Sequence, residues 1–318
     1  MGRQAPNIYE QQAANKRNTV IVMVAFTLFV GFLGYGCDAF LFGTNGMLPI
    51  VTILALVVGG VSAFSGLQSG SKVVLASAGA QPAAADNPQY RQLHNVVDEM
   101  AIASGQPRPN VYVIPDPDPN AFATGKDPAH ASIAVTDGLI AKLTRDELQG
   151  VIAHEMSHIR NYDIRMMTVV AALAGAVMLL TEFGSRSMRF GGGRRSSGRG
   201  GGAGRILLLG LWLFALVLAP LVSQILAMAV SRQREYLADA SGAELTRHPL
   251  ALAAALEKID GAIEPTRAIK KGTAHLCIAD PLGRHINEKE GAFSNLFATH
   301  PPIAKRIIQL KAMAYQHM

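Results

Sequence analysis

Charge is scarce in this chain. Only 16% of its 318 residues are Asp, Glu, Lys or Arg and 49% are hydrophobic, against roughly 25% charged in soluble domains. That excludes a highly charged, solvated polypeptide and favours a membrane protein. Cysteine is scarcer still. Cys37 and Cys277 are the only two, one in a long apolar run and one far downstream, which excludes a disulfide framework and suits a reducing compartment. Their scarcity also argues against a closed structural zinc site, which takes four protein ligands and often uses cysteine. Acid is missing altogether from residues 184–205, which carry six arginines among many glycines. The net charge of the whole chain is +6, so this one stretch accounts for the excess. The balance elsewhere gives no ground for a specific nucleic-acid partner, and lipid headgroups are the expected contact of the basic stretch.

Long uncharged runs take the place of charge. Residues 19–42 are apolar apart from Asp38 near the end, and residues 47–66 carry no charge. Each matches the roughly 20 residues that cross a bilayer as a helix. With Thr44-Asn45-Gly46 as the turn, residues 1–70 are expected to form a transmembrane hairpin. The first run exceeds a signal-peptide core and is followed by no convincing cleavage site, so it is expected to stay. Arg3, Lys16 and Arg17 precede the hairpin and Lys72 follows it, which places both its ends in the cytoplasm. Two further apolar runs, 166–180 and 206–230, suggest a second hairpin within 166–230. If both cross, the arginine-rich loop 184–205 lies outside, against the positive-inside tendency. A re-entrant hairpin is the alternative, and the length of 206–230 favours crossing.

Between these runs stands His154-Glu155-Met156-Ser157-His158. On a helix, residues four apart share a face, so both imidazoles can reach one metal ion. Glu155 lies beside them without being a ligand, where it can act as general base. The local helix signals are good. Thr144 and Glu147 form a capping-box pair, Asp146 puts negative charge in the first turn, and Leu148, Val151 and Ile152 recur at helical spacing. A catalytic zinc site needs a third ligand and an open position. Glu235 and Asp239, four residues apart, share a helix face, so one can bind metal while the other orients a histidine. Glu235 is the expected ligand. Asp163, one turn beyond His158, is a second candidate for the supporting role.

Four separated stretches together resemble the HtpX-type membrane zinc metalloproteases, relatives of the CAAX prenyl protease group. They are Asn120-Ala121-Phe122-Ala123-Thr124-Gly125, the helix from His154 to Asp163, Arg234 to Asp239, and Thr299-His300-Pro301-Pro302 with Arg306 beyond. The resemblance implies a zinc endopeptidase, with one Zn2+ per chain, in a bacterial inner membrane. Its catalytic domain would face the cytoplasm and degrade misfolded or damaged membrane proteins or unfolded polypeptides. It implies His154, His158 and Glu235 as ligands, Glu155 as the proton carrier, and a site role for His300 and Arg306 near the developing oxyanion, although His-Pro-Pro can equally start a helix. It also places Asn120 to Gly125 on a substrate-facing edge strand. A non-catalytic, zinc-stabilised membrane scaffold is the competing class, and a prenyl peptidase would need more spans than are visible.

The expected architecture is α+β: a mostly helical integral membrane protein whose zinc protease domain carries a small sheet. That domain is split into residues 71–165 and 231–318 around the second hairpin. Short β-like runs at 111–114, 121–124 and 132–136 should form the sheet, and a helix is expected over 90–104. Residues 76–87, rich in alanine with glycine and proline, read as a linker.

Overall fold

The structure, a computed structural model, describes residues 8–42, 48–174, 232–262, 266–269, 273–279 and 301–316, together with residues 210, 213 and 281. The arginine-rich loop 184–205, nearly all of the run 206–230, and His300 lie outside the described residues. The chain opens with two long helices, α1 (Ile8–Phe42) and α2 (Ile50–Ser77). Strand β1 (Gln81–Pro82), helix α3 (Arg91–Ser104) and strands β2 (Asn110–Ile114), β3 (Ala121–Thr124) and β4 (Ser132–Thr136) follow. Helices α4 (Asp137–Lys142), α5 (Arg145–Arg160) and α6 (residues 163–174) come next. The last described helices are α7 (Arg232–Thr246), α8 (Pro249–Asp260) and α9 (Ile303–Gln316).

The molecule is thus mostly helical with one small mixed sheet. The strand order is β1-β2-β4-β3, with β2 and β4 parallel and the two outer pairings antiparallel. Period-two alternation decides what each strand buries. Val111, Val113, Ala121, Ala123, Ile133 and Val135 join the main core with α3, α5 and α8. Ile114, Phe122 and Ala134 face the other way, onto Val74 and Leu75 of α2 and Met167 and Ala171 of α6. The sheet is therefore covered on both faces, which is why its residues are nearly all apolar.

One expectation changes here. The stretch 76–87 is not simply a linker: α2 runs to Ser77, and Gln81–Pro82 pairs with Val113 and Tyr112. The apolar run ends near residue 66, but Gly66 and Gly70 let α2 continue in close contact with Thr168 and Ala172 of α6, so packing rather than lipid sustains the extra turns. Likewise α1 begins at Ile8, well before the apolar run. Its early polar turns dock on protein, as shown below. Among the described residues, α2 is the one helix long and apolar enough to cross a membrane. Residues 166–174, the start of the supposed second hairpin, pack inward: Val169, Leu173 and Ala174 bury against Phe26 and Val30 of α1.

Candidate metal centre

Helix α5 is fixed at its start by the expected cap. The Thr144 hydroxyl accepts from the Glu147 N–H, and the Glu147 carboxylate accepts from the Thr144 N–H at 2.7 Å. Lys258 on α8 donates to the same carboxylate at 2.7 Å. From there Leu148, Val151, Ile152, Met156 and Ile159 are buried in the main core. With those residues anchoring the helix, His154, Glu155 and His158 are presented together in the interior.

Helix α7 supplies the rest. It can approach α5 closely because residue 242 is glycine. A Cβ there would stand 3.0 Å from the His154 amide nitrogen and 3.2 Å from its Cα. Glu235 lies two turns earlier on the same face, and its carboxylate reaches to 3.7 Å from His154 Nε2 and 3.6 Å from His158 Nε2. The two Nε2 atoms stand 3.2 Å apart. One ligand atom each from His154, His158 and Glu235 falls within a 4.8 Å cluster.

The donor set fits a zinc ion. Two nitrogens at zinc's usual 2.0–2.1 Å, placed tetrahedrally, stand about 3.3–3.4 Å apart, close to the separation found. The two Nδ1 atoms face away from the cluster and each meets its own acid. His154 Nδ1 lies 3.0 Å from Asp239 Oδ1, and His158 Nδ1 lies 3.1 Å from Asp163 Oδ2. Such carboxylates hold the tautomer that leaves Nε2 free to bind metal. Charge points the same way. Glu155, Asp163, Glu235 and Asp239 are all buried, and Arg306 and Arg234 are the arginines beside them. Among the described residues these carboxylates outnumber the arginines four to two, a surplus of acid that suits a divalent cation.

Arg306 is the most deeply buried of these charges, at 0% exposure. Its Nε and Nη2 grip Asp239 in a two-pronged pair at 2.8 and 2.7 Å, and its Nη1 donates to the Ile278 carbonyl at 2.6 Å. The structure therefore places Arg306 behind Asp239, with its nearest approach to Glu235 at 3.7 Å. Pro301 and Pro302 stand directly before α9, in keeping with a helix start.

The titratable groups are strongly perturbed. Burial pushes the Glu155 carboxyl up to about 7, with the charge of Glu235 adding to it, although the Ala123 N–H donates to Glu155 and pulls the other way. Burial holds His154 below its ordinary value against the pull of Asp239. On His158 burial also opposes charge, but Asp163 and Glu235 outweigh it and lift the imidazole to about 9.

Asn120 to Gly125 border this site and are almost wholly enclosed. β3 is an edge strand, yet its outward groups are engaged within the chain. Ala121 O accepts from Ile278 N–H at 2.9 Å, and Asn120 Nδ2 donates to Ala279 O at 3.0 Å. The Gly125 N–H donates to Thr168 Oγ1 at 3.0 Å.

Several contributors carried no signal of their own in the sequence. Gly242 could have been noticed as lying two turns beyond Glu235 on one face. Asn15, whose side chain donates to Asp163 at 2.7 Å, has no local signature at all.

Two histidines and a glutamate drawn from two packed helices, with a second glutamate beside them, form a group that could hold a metal ion, as a metallopeptidase centre requires. Comparison with known proteins agrees. Residues 87–314 match peptidase family M48. A Protease HtpX homolog from Thermoanaerobacter pseudethanolicus is 47% identical over 307 residues, covering 96% of this chain and 98% of that protein. A second from Ligilactobacillus salivarius is 44% identical over 306 residues, covering 96% and 100%. The crystal structure of S. mikatae Ste24p is similar with a TM-score of 0.48 at 19% identity, over 95% of this chain and 67% of that one. The chain belongs to peptidase family M48, as a membrane metalloprotease of the HtpX type.

Proposed function

We propose that this protein is a zinc endopeptidase that hydrolyses misfolded or damaged membrane proteins at the cytoplasmic face of a bacterial inner membrane. The observation that carries the reading is the cluster of His154, His158 and Glu235 ligand atoms with Glu155 adjacent but outside the set. These three residues would hold one zinc ion, which when bound supplies a Lewis acid to a water and to the scissile carbonyl. Glu155 takes the proton that water loses and returns it to the departing amine. Its burial keeps competing solvent away from that transfer, and the Ala123 N–H fixes the carboxylate. Asp239 and Asp163 hold the two imidazoles, and Arg306 holds Asp239, acting through it rather than on the substrate.

A substrate strand lying along Asn120 to Gly125 would take the place Ile278 holds at Ala121, so binding on this edge includes displacement of residues 278–279. The membrane setting follows from α1 and α2, whose outward faces carry Val20, Ile21, Val24, Leu28 and Phe32 and then Ile53, Leu54, Val57, Val61 and Phe64, all exposed. Basic residues at the hairpin ends support a cytoplasmic catalytic side. The arginine-rich loop is assigned to lipid headgroups on composition.

The test is Glu155→Gln in the full chain, assayed on a casein-like substrate and on an unfolded membrane protein. Metal content should remain at one zinc per chain, while turnover falls by about 100- to 10,000-fold. Full zinc loading in the native chain with no cleavage of either substrate would overturn the enzymatic reading.

A further inference from the structure

The first helix reaches the acid that stands behind one histidine of the metal centre. Gln12, Asn15 and Lys16 lie on one face of α1, at helical spacing. All three meet the corner between α5 and α6. Gln12 Nε2 donates to the Arg160 carbonyl at 2.8 Å, and the Lys16 ammonium stands 4.0 Å above the Tyr162 ring. Asn15 is buried and spends both hydrogens of its amide nitrogen there. One goes to the Asn161 carbonyl at 2.9 Å and the other to Asp163 Oδ1 at 2.7 Å.

That corner needs support from outside. Asn161 ends α5, so its carbonyl lies among those without a partner in the helix ladder. Tyr162 sits at φ 61°, a left-handed conformation that is unfavourable for a non-glycine residue. The corner also carries Asp163, whose second oxygen faces His158 Nδ1 at 3.1 Å. A continuous chain of polar contacts therefore runs from α1 through Asn15 and Asp163 to His158.

We propose that Asn15 is a positioning residue of the metal centre: by fixing the Asp163 carboxylate it sets the orientation of His158, so the N-terminal membrane helix is a working part of the protease site as well as an anchor. The inference rests on the zinc site proposed above. Its physical basis is that a carboxylate behind a ligand histidine holds the ring only if the carboxylate is itself held. Arg234 also acts on this carboxylate by charge, its Nη1 standing 3.7 Å from the same Asp163 oxygen, whereas Asn15 meets it in a direct hydrogen bond at 2.7 Å.

The experiment measures zinc affinity by chelator competition, together with kcat and KM, for the detergent-solubilised full chain. The variants are Asn15→Leu, Asp163→Asn and the double variant, with Gln12→Ala as a control that loosens the same corner without touching Asp163. Asp163→Asn should weaken zinc by about 10- to 100-fold. Asn15→Leu should weaken it by about tenfold, lowering kcat with little change in KM. In the Asp163→Asn background, Asn15→Leu should change zinc affinity by less than about twofold, because the two residues act in series. Gln12→Ala should lower the unfolding temperature but leave zinc affinity in place. If Asn15→Leu does not fold, Asn15→Ser, which cannot span both acceptors, is read by the same criteria. Unchanged zinc affinity in the Asn15 variant, or an equal loss with and without the Asp163 carboxylate, would overturn the inference. Absence of zinc binding by the native chain would instead overturn the proposed function.

Discussion

Helix α5 and the α1–α2 pair solve opposite problems with the same backbone. In α5 the chemistry is inside: His154, Glu155 and His158 are buried among apolar neighbours, and each of these ionisable groups is balanced by another. In α1 and α2 the apolar side chains are outside, with Leu28, Phe32, Ile53 and Phe64 exposed on the outer faces while glycines and small residues line the seam. A soluble protein would reverse the second arrangement. The contrast shows that burial in this molecule does not follow polarity alone: protein encloses the inner charges, while the outer apolar faces of α1 and α2 stay exposed. The two regions meet at the corner 160–163, where the polar start of α1 reaches inward.

The largest effect expected from breaking this comparison comes from the inner side. Asp239→Ala leaves the guanidinium of Arg306 buried without its two-pronged partner and should destabilise the protease portion by about 3–5 kcal/mol, read as a loss of thermal unfolding temperature in detergent. Next is Gly242→Ala. The added methyl meets the His154 backbone at 3.0 Å, so α7 must move away from α5, at about 1–3 kcal/mol. Because Glu235 rides on α7, zinc affinity should fall with stability, and a variant that loses stability while keeping full affinity would contradict this account of the helix contact.

A smaller effect is expected at the cap of α5. Burial opposes the charge of Glu147, but Lys258 and the Thr144 backbone and hydroxyl outweigh it and hold its carboxyl below the usual value. A lowered folded pKa stabilises the fold above the unfolded value, and the contribution is lost as pH falls through the folded one. Glu147→Gln should therefore cost about 0.5–1 kcal/mol near neutral pH, and the gap to the native chain should close on acidification below the ordinary carboxylate range. Denaturant unfolding at two pH values checks it. Smallest of all is Leu28→Ser on the outer face of α1, at 62% exposure. It should change unfolding in detergent by less than about 0.5 kcal/mol, and a loss comparable to that of Gly242→Ala would mean the face is covered by protein.

What the sequence makes legible is what depends on neighbours a few residues away. The Thr144–Glu147 capping box, the shared face of His154 and His158, and strands at 111–114, 121–124 and 132–136, the first of them one residue longer in the fold, all follow from spacing and residue type. So does the pairing of Glu235 with Asp239 on one face, but not the division of labour: Asp239 serves His154 and Asp163 serves His158 only because α7 crosses α5 at Gly242. Contacts between distant parts of the chain left no local trace. Asn15 and Asp163 are 148 residues apart, and an asparagine early in a polar stretch looks like any solvated residue. The two-residue strand Gln81–Pro82 was equally hidden, since its pairing is dictated by the exposed edge of β2 and not by its own composition.

The enclosed edge of β3 has a consequence for the life of the molecule near its substrates. Unpaired strand edges are where sheets recruit foreign chains and begin to aggregate. Here the outward backbone groups of Ala121, Ala123 and Gly125 are met from within by Ile278, Glu155 and Thr168. The edge is thereby closed to foreign chains until residues 278–279 move aside.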